Sequence, residues 1–235
     1  MDANVRVGRS GIYGHLALEP PELIAEMDRF GIQQALVSHF TAEEYDASEG
    51  NAALNRDLHP RFVPAWAISP DPGILTELEK HRPRAVRLWF NPCHHNFSSA
   101  MWSAAELYEY LQQGSILTVI SCEDLDWDQL ASILHNFPRL PILMLDTGYR
   151  CDRYLFPLLR RFNNLYFDSS TYVAYRQLES FVEIFGSERI VFGSRLPLYT
   201  PAAALFVLAT ARISHNARIA IAGENLRRLL RMSET

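Results

Sequence analysis

The sequence predicts an α/β fold of the TIM-barrel type, a single (β/α)8 domain over residues 1–235, and three observations support this prediction. Short runs of β-branched and aromatic residues alternate about eight times with stretches of helical periodicity, which indicates repeated βα units. Strands such as 142–145 are apolar without alternation, as expected where helices cover the outer face of a parallel sheet. A chain of 235 residues, 48% of them hydrophobic, is long enough to close one barrel around one core.

Each predicted strand is short and is followed by a helical stretch. The strands are predicted at residues 4–7, 34–38, 62–68, 85–90, 116–121, 142–145, 165–168 and 189–192. The helices are predicted at residues 21–27, 52–58, 74–80, 104–112, 127–136, 154–162, 177–185, 202–211 and 224–232. Pro21 opens the first helix and Gly31 ends it, whereas Asp126 caps the helix after strand five and Pro138 stops it.

An open doubly wound sheet is the alternative architecture for such a rhythm. It would require a glycine-rich phosphate-binding turn directly after the first strand. The segment 7–11 contains glycine, but it does not match GxGxxG and does not lead directly into a helix. A closed barrel is therefore the simpler interpretation.

Composition and charge exclude several classes of partner. The net charge is −5 and the basic residues are scattered, so no basic surface for nucleic acid or an anionic membrane is expected. The sequence contains neither an apolar signal core at its start nor a run of about 18 apolar residues. Three cysteines without CxxC spacing favour reduced thiols. We therefore expect a cytoplasmic protein with a small-molecule partner; the sequence leaves its oligomeric state open, and a homo-oligomer is compatible with it.

The functional site of such a barrel is expected where its strands end, because the loops at the C-terminal face converge there. The polar, aromatic and thiol side chains predicted at strand ends are Asn4, Arg6, His39, Trp66, Arg87, Trp89, Asn91, Ser121, Cys122, Glu123, Asp146, Asp168, Ser170 and Arg195.

Four motifs carry a resemblance to a known family. The segment RIVFGSRLP at 189–197 is followed by GENLRRLL at 223–230, and NLYFDSS at 164–170 and DANVRVG at 2–8 precede them. They resemble, in order, the FGSDxP of an eighth strand, a GxN followed by an RLL-type helix, a seventh strand and an opening DxHxHxG. The chain thus resembles, over its whole length, the amidohydrolase-related (amidohydrolase 2 type) TIM-barrel hydrolases, which are metal-dependent.

The residues that hold the metal in that family are replaced in this chain. The resemblance implies ligands at both histidines of HxH, at a histidine ending strand five, often at one ending strand six, and at the aspartate of FGSD. The matching positions are Asn4, Arg6, Ser121, Asp146 and Arg195. Because a guanidinium stays protonated and cannot be a ligand, we expect no metal or other cofactor here and no metal-activated water.

The arginine and aspartate substitutions have two interpretations. Arg6, Asp146 and Arg195 could form a buried ion-pair network that fills a dead site, since an unpaired buried charge is costly. Alternatively, arginines that one carboxylate does not fully neutralise could bind an anionic ligand through charge-assisted hydrogen bonds. An inward-facing Arg87 would favour the ligand-binding interpretation.

These interpretations lead to two functional hypotheses. The first is a metal-independent hydrolase or lyase that acts on a small carboxylate-bearing substrate. Its substrate would be bound by Arg6, Arg195, Asn4, Arg87, Ser121 and Asn91, and its protons would be moved by Asp146, His39 or Glu123. The alternative is a catalytically inactive family member that serves as a small-anion-binding or regulatory barrel.

Some other residues have weaker functional interpretations. Cys93, His94, His95, Cys122 and Cys151 could form a relocated soft-metal site, although incidental reduced cysteines are the favoured interpretation. The acidic run 43–49 is most simply a solvated loop and helix start, and its place after strand two is also compatible with a lid. Trp66 and Trp89 are expected to line the upper barrel.

Overall fold

The computed structural model describes residues 1–91 and 93–232 and shows a nine-stranded sheet in the order β2-β1-β3-β4-β5-β6-β7-β8-β9. The strands are β1 Asp2–Arg9, β2 Ala17–Leu18, β3 Ala35–His39, β4 Phe62–Ala67, β5 Ala85–Leu88, β6 Leu117–Ser121, β7 Ile142–Leu145, β8 Leu165–Asp168 and β9 Ile190–Val191. All neighbours pair in parallel except β2, which forms a short antiparallel pair with β1.

The sheet closes on itself between its last strand and β1. Val5 forms a parallel bridge with Leu196, and the Ala3 and Arg6 N–H groups donate to the carbonyls of Phe192 and Leu196, both at 2.9 Å. Apart from β2, the sheet is therefore a closed ring of parallel strands surrounded by helices. The predicted TIM-barrel fold is confirmed.

Helices follow the barrel strands, largely where the sequence predicts them. They are α1 Pro20–Arg29, α2 Phe40–Glu44, α3 Ala47–Arg56, α4 Ile74–His81, α5 Met101–Gly114, α6 Trp127–Asn136, α7 Asp152–Arg161, α8 Gln177–Phe185, α9 Pro201–Thr210, α10 His215–Ile219 and α11 Asn225–Leu229, with a π-helical turn Ala220–Glu224 before α11. Asp126 caps α6 through a reciprocal pair of hydrogen bonds with Gln129, as its position predicts. The short helix α2 was not predicted.

The lower half of the barrel interior is apolar. Its inward side chains include Leu36, Ala65, Leu117 and Leu143, and α11 inserts Leu226 beneath them. Because this end is filled, the only open end of the barrel in the described structure is the one where the strands finish. Among the described residues, no helix combines the length and apolar character that a membrane crossing requires.

Strand register decides which side chains enter the barrel. Arg6 pairs with Ser38 and Val7 with His39, so Arg6 and Ser38 point inward while His39 points toward the helices. On β4 the inward positions belong to Val63, Ala65 and Ala67, and Trp66 points out of the barrel. The prediction that Trp66 lines the upper barrel is therefore wrong.

Candidate functional site

A cleft of about 220 Å³ opens at the C-terminal end of the barrel. Its walls combine ionisable, polar and aromatic side chains from five strand ends and the loops that follow them. The lining residues are Arg6, Ile12, Tyr13, Phe40, Glu43, Glu44, Trp89, Asn91, Cys93, His94, Ser121, Glu123, Asp124, Arg195 and Leu198.

Asp146 is the centre of the polar network beneath this cleft. Its Oδ1 accepts from Asn4 Nδ2 at 2.9 Å, and its Oδ2 accepts from Ser121 Oγ at 2.8 Å. Arg195 Nε lies 3.2 Å from Oδ1, and Ser170 Oγ donates to the same oxygen at 3.4 Å. Burial alone would raise the pKa of Asp146, but the charges of the surrounding arginines and the Ser121 hydrogen bond together lower it. Asp146 is therefore held ionised.

The backbone at Asp146 and Arg195 adopts an uncommon conformation. Their φ angles are 58° and 62°, in the left-handed region that residues other than glycine seldom occupy. Such conformations cost free energy and cluster at functional sites. They turn both side chains toward each other across the mouth of the barrel.

Arg6 is paired with a carboxylate that the sequence interpretation did not assign. Its Nε lies 2.5 Å from Glu43 Oε2 and its Nη2 lies 3.4 Å from Glu43 Oε1, a two-point contact. Its Nη1 donates to Asn4 Oδ1 at 3.1 Å. Burial alone would raise the pKa of Glu43, but the charge and hydrogen bonds of Arg6, with the charge of Arg87, lower it.

Arg87 lies under the cleft and faces inward. It is 2% exposed, donates to Ser121 Oγ at 3.4 Å and has its guanidinium over the Trp89 ring at 5.1 Å. Burial, and then the charge of Arg6, lower its pKa. Within residues 1–91 and 93–232, no carboxylate accepts a hydrogen bond from it, and its Nε–H has no acceptor.

Two carboxyl groups lie below this network. Asp168 accepts from the Asp146 N–H at 3.0 Å and from Asn4 Nδ2 at 3.2 Å, and burial, followed by the charge of Asp146, raises its pKa to about 7. A Cβ atom at Gly193 would overlap the Asp168 carboxylate, which explains the glycine of the FGS motif. Burial raises the pKa of Asp2 to about 6.

The structure thus brings most of the predicted site residues together. Six of them form one hydrogen-bonded and ion-paired group, namely Asn4, Arg6, Arg87, Ser121, Asp146 and Arg195. Asn91 lies at the rim, where its Oδ1 accepts from the Cys93 N–H at 2.9 Å. Glu123 is also at the rim, with a side chain 71% exposed and 3.5 Å from Arg195 Nη2.

His39 does not join this group. Its Nδ1 accepts from the Thr41 N–H at 3.1 Å and so caps α2, and its ring packs so closely on Gly8 that a Cβ atom there would overlap it. Burial lowers its pKa. The outward register of His39 places it behind the barrel wall, away from the cleft, which favours the packing role over the catalytic one.

Three carboxylates of the cleft are not assigned to the site from the sequence. The acidic run that contains Glu43 and Glu44 is interpreted as a solvated loop and helix start, and Asp124 is given no role. Asp124 lines the cleft three residues after Ser121, its Oδ2 accepts from the Ser121 N–H at 3.1 Å, and burial raises its pKa. The positions of these three carboxylates shortly after barrel strands are the signal that could have identified them.

The donors at the family's metal positions do not fit a metal. Two of the five are guanidinium groups, and the single carboxylate, Asp146, is already surrounded by arginines and hydrogen-bond donors. In the described part of the chain, no group of three or more histidine, cysteine, aspartate or glutamate side chains is arranged to hold a metal ion.

The relocated soft-metal site is likewise not assembled. The ring nitrogens of His94 and His95 contact the carbonyl oxygens of Glu43 at 3.1 Å and Ala42 at 2.6 Å. Cys93 is exposed, and burial raises the pKa of Cys122 to about 11 and that of Cys151 to about 12, so these two thiols stay neutral near pH 7.

A second cavity, of about 490 Å³, lies outside the barrel between α3 and α4. Trp66 forms part of its wall and packs against His81 with 4.2 Å between ring centroids. The acidic groups on its rim already have partners: Asp46 accepts from the Glu49 N–H, and Glu77 pairs with Lys80 and His81. It is larger than the cleft, but it lacks the buried charge and the unpartnered donors that mark the cleft as the functional site.

Comparison with known proteins supports the family assignment. A family model described as amidohydrolase, of the amidohydrolase 2 type, matches residues 17–232. No curated protein sequence matches the chain. The structure is similar to an uncharacterised TIM-barrel protein from Bordetella bronchiseptica, with a TM-score of 0.77 and 18% identity over 98% of this chain and 97% of that one.

Two enzymes of known name share the fold. A 5-carboxyvanillate decarboxylase from Sphingomonas paucimobilis has a TM-score of 0.68 at 15% identity, covering 99% of this chain and 98% of that one. A putative 2-pyrone-4,6-dicarboxylic acid hydrolase from Pseudomonas putida has a TM-score of 0.73 at 15% identity, covering 100% and 98%. At these identities the likeness demonstrates the fold alone, whereas the family model spans most of the sequence. The chain therefore belongs to the amidohydrolase family.

Proposed function

We propose that the protein is a metal-independent hydrolase or lyase that acts on a small carboxylate-bearing substrate bound in the arginine-lined cleft. The observation that carries this proposal is an excess of hydrogen-bond donors in the cleft floor. Arg87 Nε and Trp89 Nε1 are buried and have no hydrogen-bond acceptor among the described residues, and Arg195 Nε has only its ion pair with Asp146 at 3.2 Å. Buried donors are normally paired, so two unpartnered donors close together favour a ligand that brings acceptors.

Charge supports the same class of ligand. Three guanidinium groups, Arg6, Arg87 and Arg195, meet two strongly buried carboxylates whose pKa values are lowered, Glu43 and Asp146. Arg195 lines the cleft, and its Nη atoms have only distant partners, Tyr199 Oη at 3.3 Å and Glu123 at 3.5 Å. A ligand carboxylate would find charge-assisted donors there.

Among the carboxylates of the cleft, Asp124 is best suited to move a proton. Asp146 is held ionised and its oxygens are occupied, so it serves better as an anchor for Arg195 and Asn4. Asp124 lines the cleft, and its raised pKa lies closer to neutrality than that of an ordinary aspartate. The exposed Glu123 remains a second candidate at the rim.

The names of the structural neighbours agree with this substrate class. Two are decarboxylases of small aromatic acids, named for 2,6-dihydroxybenzoate and 5-carboxyvanillate, and one is a putative hydrolase of a pyrone dicarboxylic acid. These names describe those proteins. They support a small carboxylic acid as the compound to test first.

A catalytically inactive, anion-binding barrel is the second candidate, and one observation favours it. Arg6 and Asp146 satisfy most of their hydrogen-bonding groups within the protein, as expected for a network whose role is structural. Binding without turnover would identify this alternative.

The proposal is tested by measuring the melting temperature of the chelator-treated protein with succinamate, succinate, benzoate, 3-carbamoylbenzoate and isophthalate. A ligand of the folded state raises the melting temperature as its concentration increases. We expect at least one acid to do so, Arg195→Met to weaken its affinity about tenfold or more, and the exposed Arg212→Met to leave it unchanged.

Turnover is followed in the same samples as release of CO2 or of a hydrolysis product. If no acid raises the melting temperature, or if Arg195→Met binds as well as the wild type, the anion-binding cleft is wrong. If binding requires a stoichiometric divalent metal, metal independence is wrong.

A further inference from the structure

We infer that Glu43 sets the charge of the ligand: it fills the guanidinium fork of Arg6 as an internal carboxylate, so the cleft selects molecules with one carboxylate over those with two. This inference rests on the proposed function and names its specificity-determining residue.

The contact between the two side chains has the geometry of a bound carboxylate. Both oxygens of Glu43 face Arg6, at 2.5 Å from Nε and 3.4 Å from Nη2, and the side chains are only 4% and 13% exposed. The remaining nitrogen of Arg6, Nη1, donates to Asn4 Oδ1. Glu43 therefore occupies the Nε–Nη2 edge of the guanidinium, the edge at which a ligand carboxylate would otherwise make a two-point contact.

The backbone around Glu43 is held firmly, so the contact is built into the fold. His94 Nδ1 contacts the Glu43 carbonyl at 3.1 Å and His95 Nε2 contacts that of Ala42 at 2.6 Å. Behind α2, a Cβ atom at Gly50 would overlap Ala42, so α3 packs directly against this helix. Glu43 is therefore held over Arg6 from two sides.

One arginine of the cleft remains open when Arg6 is occupied. Arg195 lines the cleft and pairs with Asp146, while its outer nitrogens face the rim contacts with Tyr199 and the exposed Glu123. A first carboxylate would bind at Arg195. A second one would meet the Glu43 carboxylate in a mostly buried place, where like charges repel strongly.

The adjacent Glu44 provides a matched control. It lies on the same helix and lines the same cleft, but its oxygens accept from Ser10 Oγ at 2.5 Å and from the Gly11 N–H at 2.6 Å, not from an arginine. Glu44→Gln removes the same charge from the same helix and leaves Arg6 paired. It therefore separates the Arg6 contact from a general change of charge.

The experiment measures dissociation constants for two pairs of ligands that differ by one charge at similar size: succinamate with succinate, and 3-carbamoylbenzoate with isophthalate. In the wild type we expect the monocarboxylate of a pair to bind more tightly. In Glu43→Gln we expect the ratio of the two constants to move toward the dicarboxylate by about tenfold or more, because Arg6 regains free donors. In Glu44→Gln we expect it to change by less than about threefold.

If Glu43→Gln does not fold, Glu43→Asp is measured against Glu44→Asp. Glu43→Asp keeps the charge but withdraws the carboxylate from Arg6 by one methylene, so the ratio should still move toward the dicarboxylate, and Glu44→Asp should not move it. An unchanged ratio in the Glu43 variants, or an equal change in the Glu44 variants, overturns the inference while leaving the proposed function intact. If no protein binds any of the four compounds, both the inference and the proposed function fail.

Discussion

The lower and upper halves of the barrel interior are built on the same strands from opposite kinds of side chain. Along β5, Ala85 lies in the apolar lower layer and Arg87 in the charged upper layer, and along β6 the same step leads from Val119 to Ser121. The lower half is closed by Leu226 from α11. The difference indicates that the two halves have different roles: apolar packing in the lower half stabilises the fold and offsets the free-energy cost of burying charged groups in the upper half.

The largest loss of stability is expected from removing the carboxylate at the centre of the upper half. Asp146→Ala would leave Arg195 and Arg6 without their shared buried counter-charge, so the free energy of unfolding should fall by about 3–5 kcal/mol. Denaturant unfolding measures this loss, with the exposed Asp128→Ala as control, expected to change stability by less than about 0.5 kcal/mol. A loss below about 1 kcal/mol in Asp146→Ala would show that the network is not electrostatically tight.

The structural role of the lower half is tested by a substitution that creates a cavity there. Leu143→Ala should lower the free energy of unfolding by about 2–5 kcal/mol, because Leu143 is fully buried among apolar neighbours. At ligand concentrations and temperatures where the variant is folded, its affinity for carboxylates should equal that of the wild type. A changed affinity would contradict the division between the two halves.

The free energy of unfolding should depend on pH through Asp2, which lies between the two halves. Asp2 Oδ1 accepts from the Asn4 and Ser194 N–H groups at 3.0 Å each, while Oδ2 is buried and unpartnered among the described residues. Its folded pKa of about 6 lies above the unfolded value, so its contribution to stability is fully present below about pH 4 and is lost as the pH rises to about 6.

Asp2→Asn keeps both hydrogen bonds and removes this titration. Relative to the wild type, its free energy of unfolding should therefore rise by about 2–3 kcal/mol between pH 4 and pH 6 and then level off. Urea unfolding at a series of pH values measures this difference. A difference that is independent of pH would show that Asp2 does not titrate in this range.

The smallest effect is expected from one hydroxyl of the upper half. Ser121 Oγ bridges Asp146 at 2.8 Å and Arg87 at 3.4 Å, so Ser121→Ala should cost about 1–2 kcal/mol. Thermal unfolding measures the cost, and the exposed Ser180→Ala serves as control. If both variants are equally stable, Ser121 is not needed to hold the network.

The fold and part of the site could be predicted from the sequence because strand periodicity and strand ends carry that information. The alternation of strands and helices and the motifs at 189–197 and 223–230 correctly predicted the last barrel strand, β9, and the position of Arg195 shortly after it. Side chains two residues apart on a strand point to the same face, so the sequence also predicts that Asn4 and Arg6 of β1 both point into the barrel.

The remaining site residues depend on features that periodicity does not contain. His39 and Trp66 each differ by one residue from an inward position, and a one-residue shift moves a side chain to the opposite face. Glu43 lies on the unpredicted helix α2, whose position is set by contacts with His94 and His95 from a distant segment and with Gly50 on the following helix. Loops fixed by such long-range contacts leave little signal in their own sequence.

The central claim is that a small carboxylate binds above the unpartnered donors of the cleft floor. Its most direct test is a ¹H–¹⁵N spectrum of the tryptophan indole and arginine Nε groups during titration with succinamate or 3-carbamoylbenzoate, with signals assigned by Trp89→Phe and Trp66→Phe. We expect saturable shifts of the Trp89 and Arg195 signals and an unchanged Trp66 signal. Shifts confined to Trp66, in the outer cavity, or no shift at all would contradict the central claim.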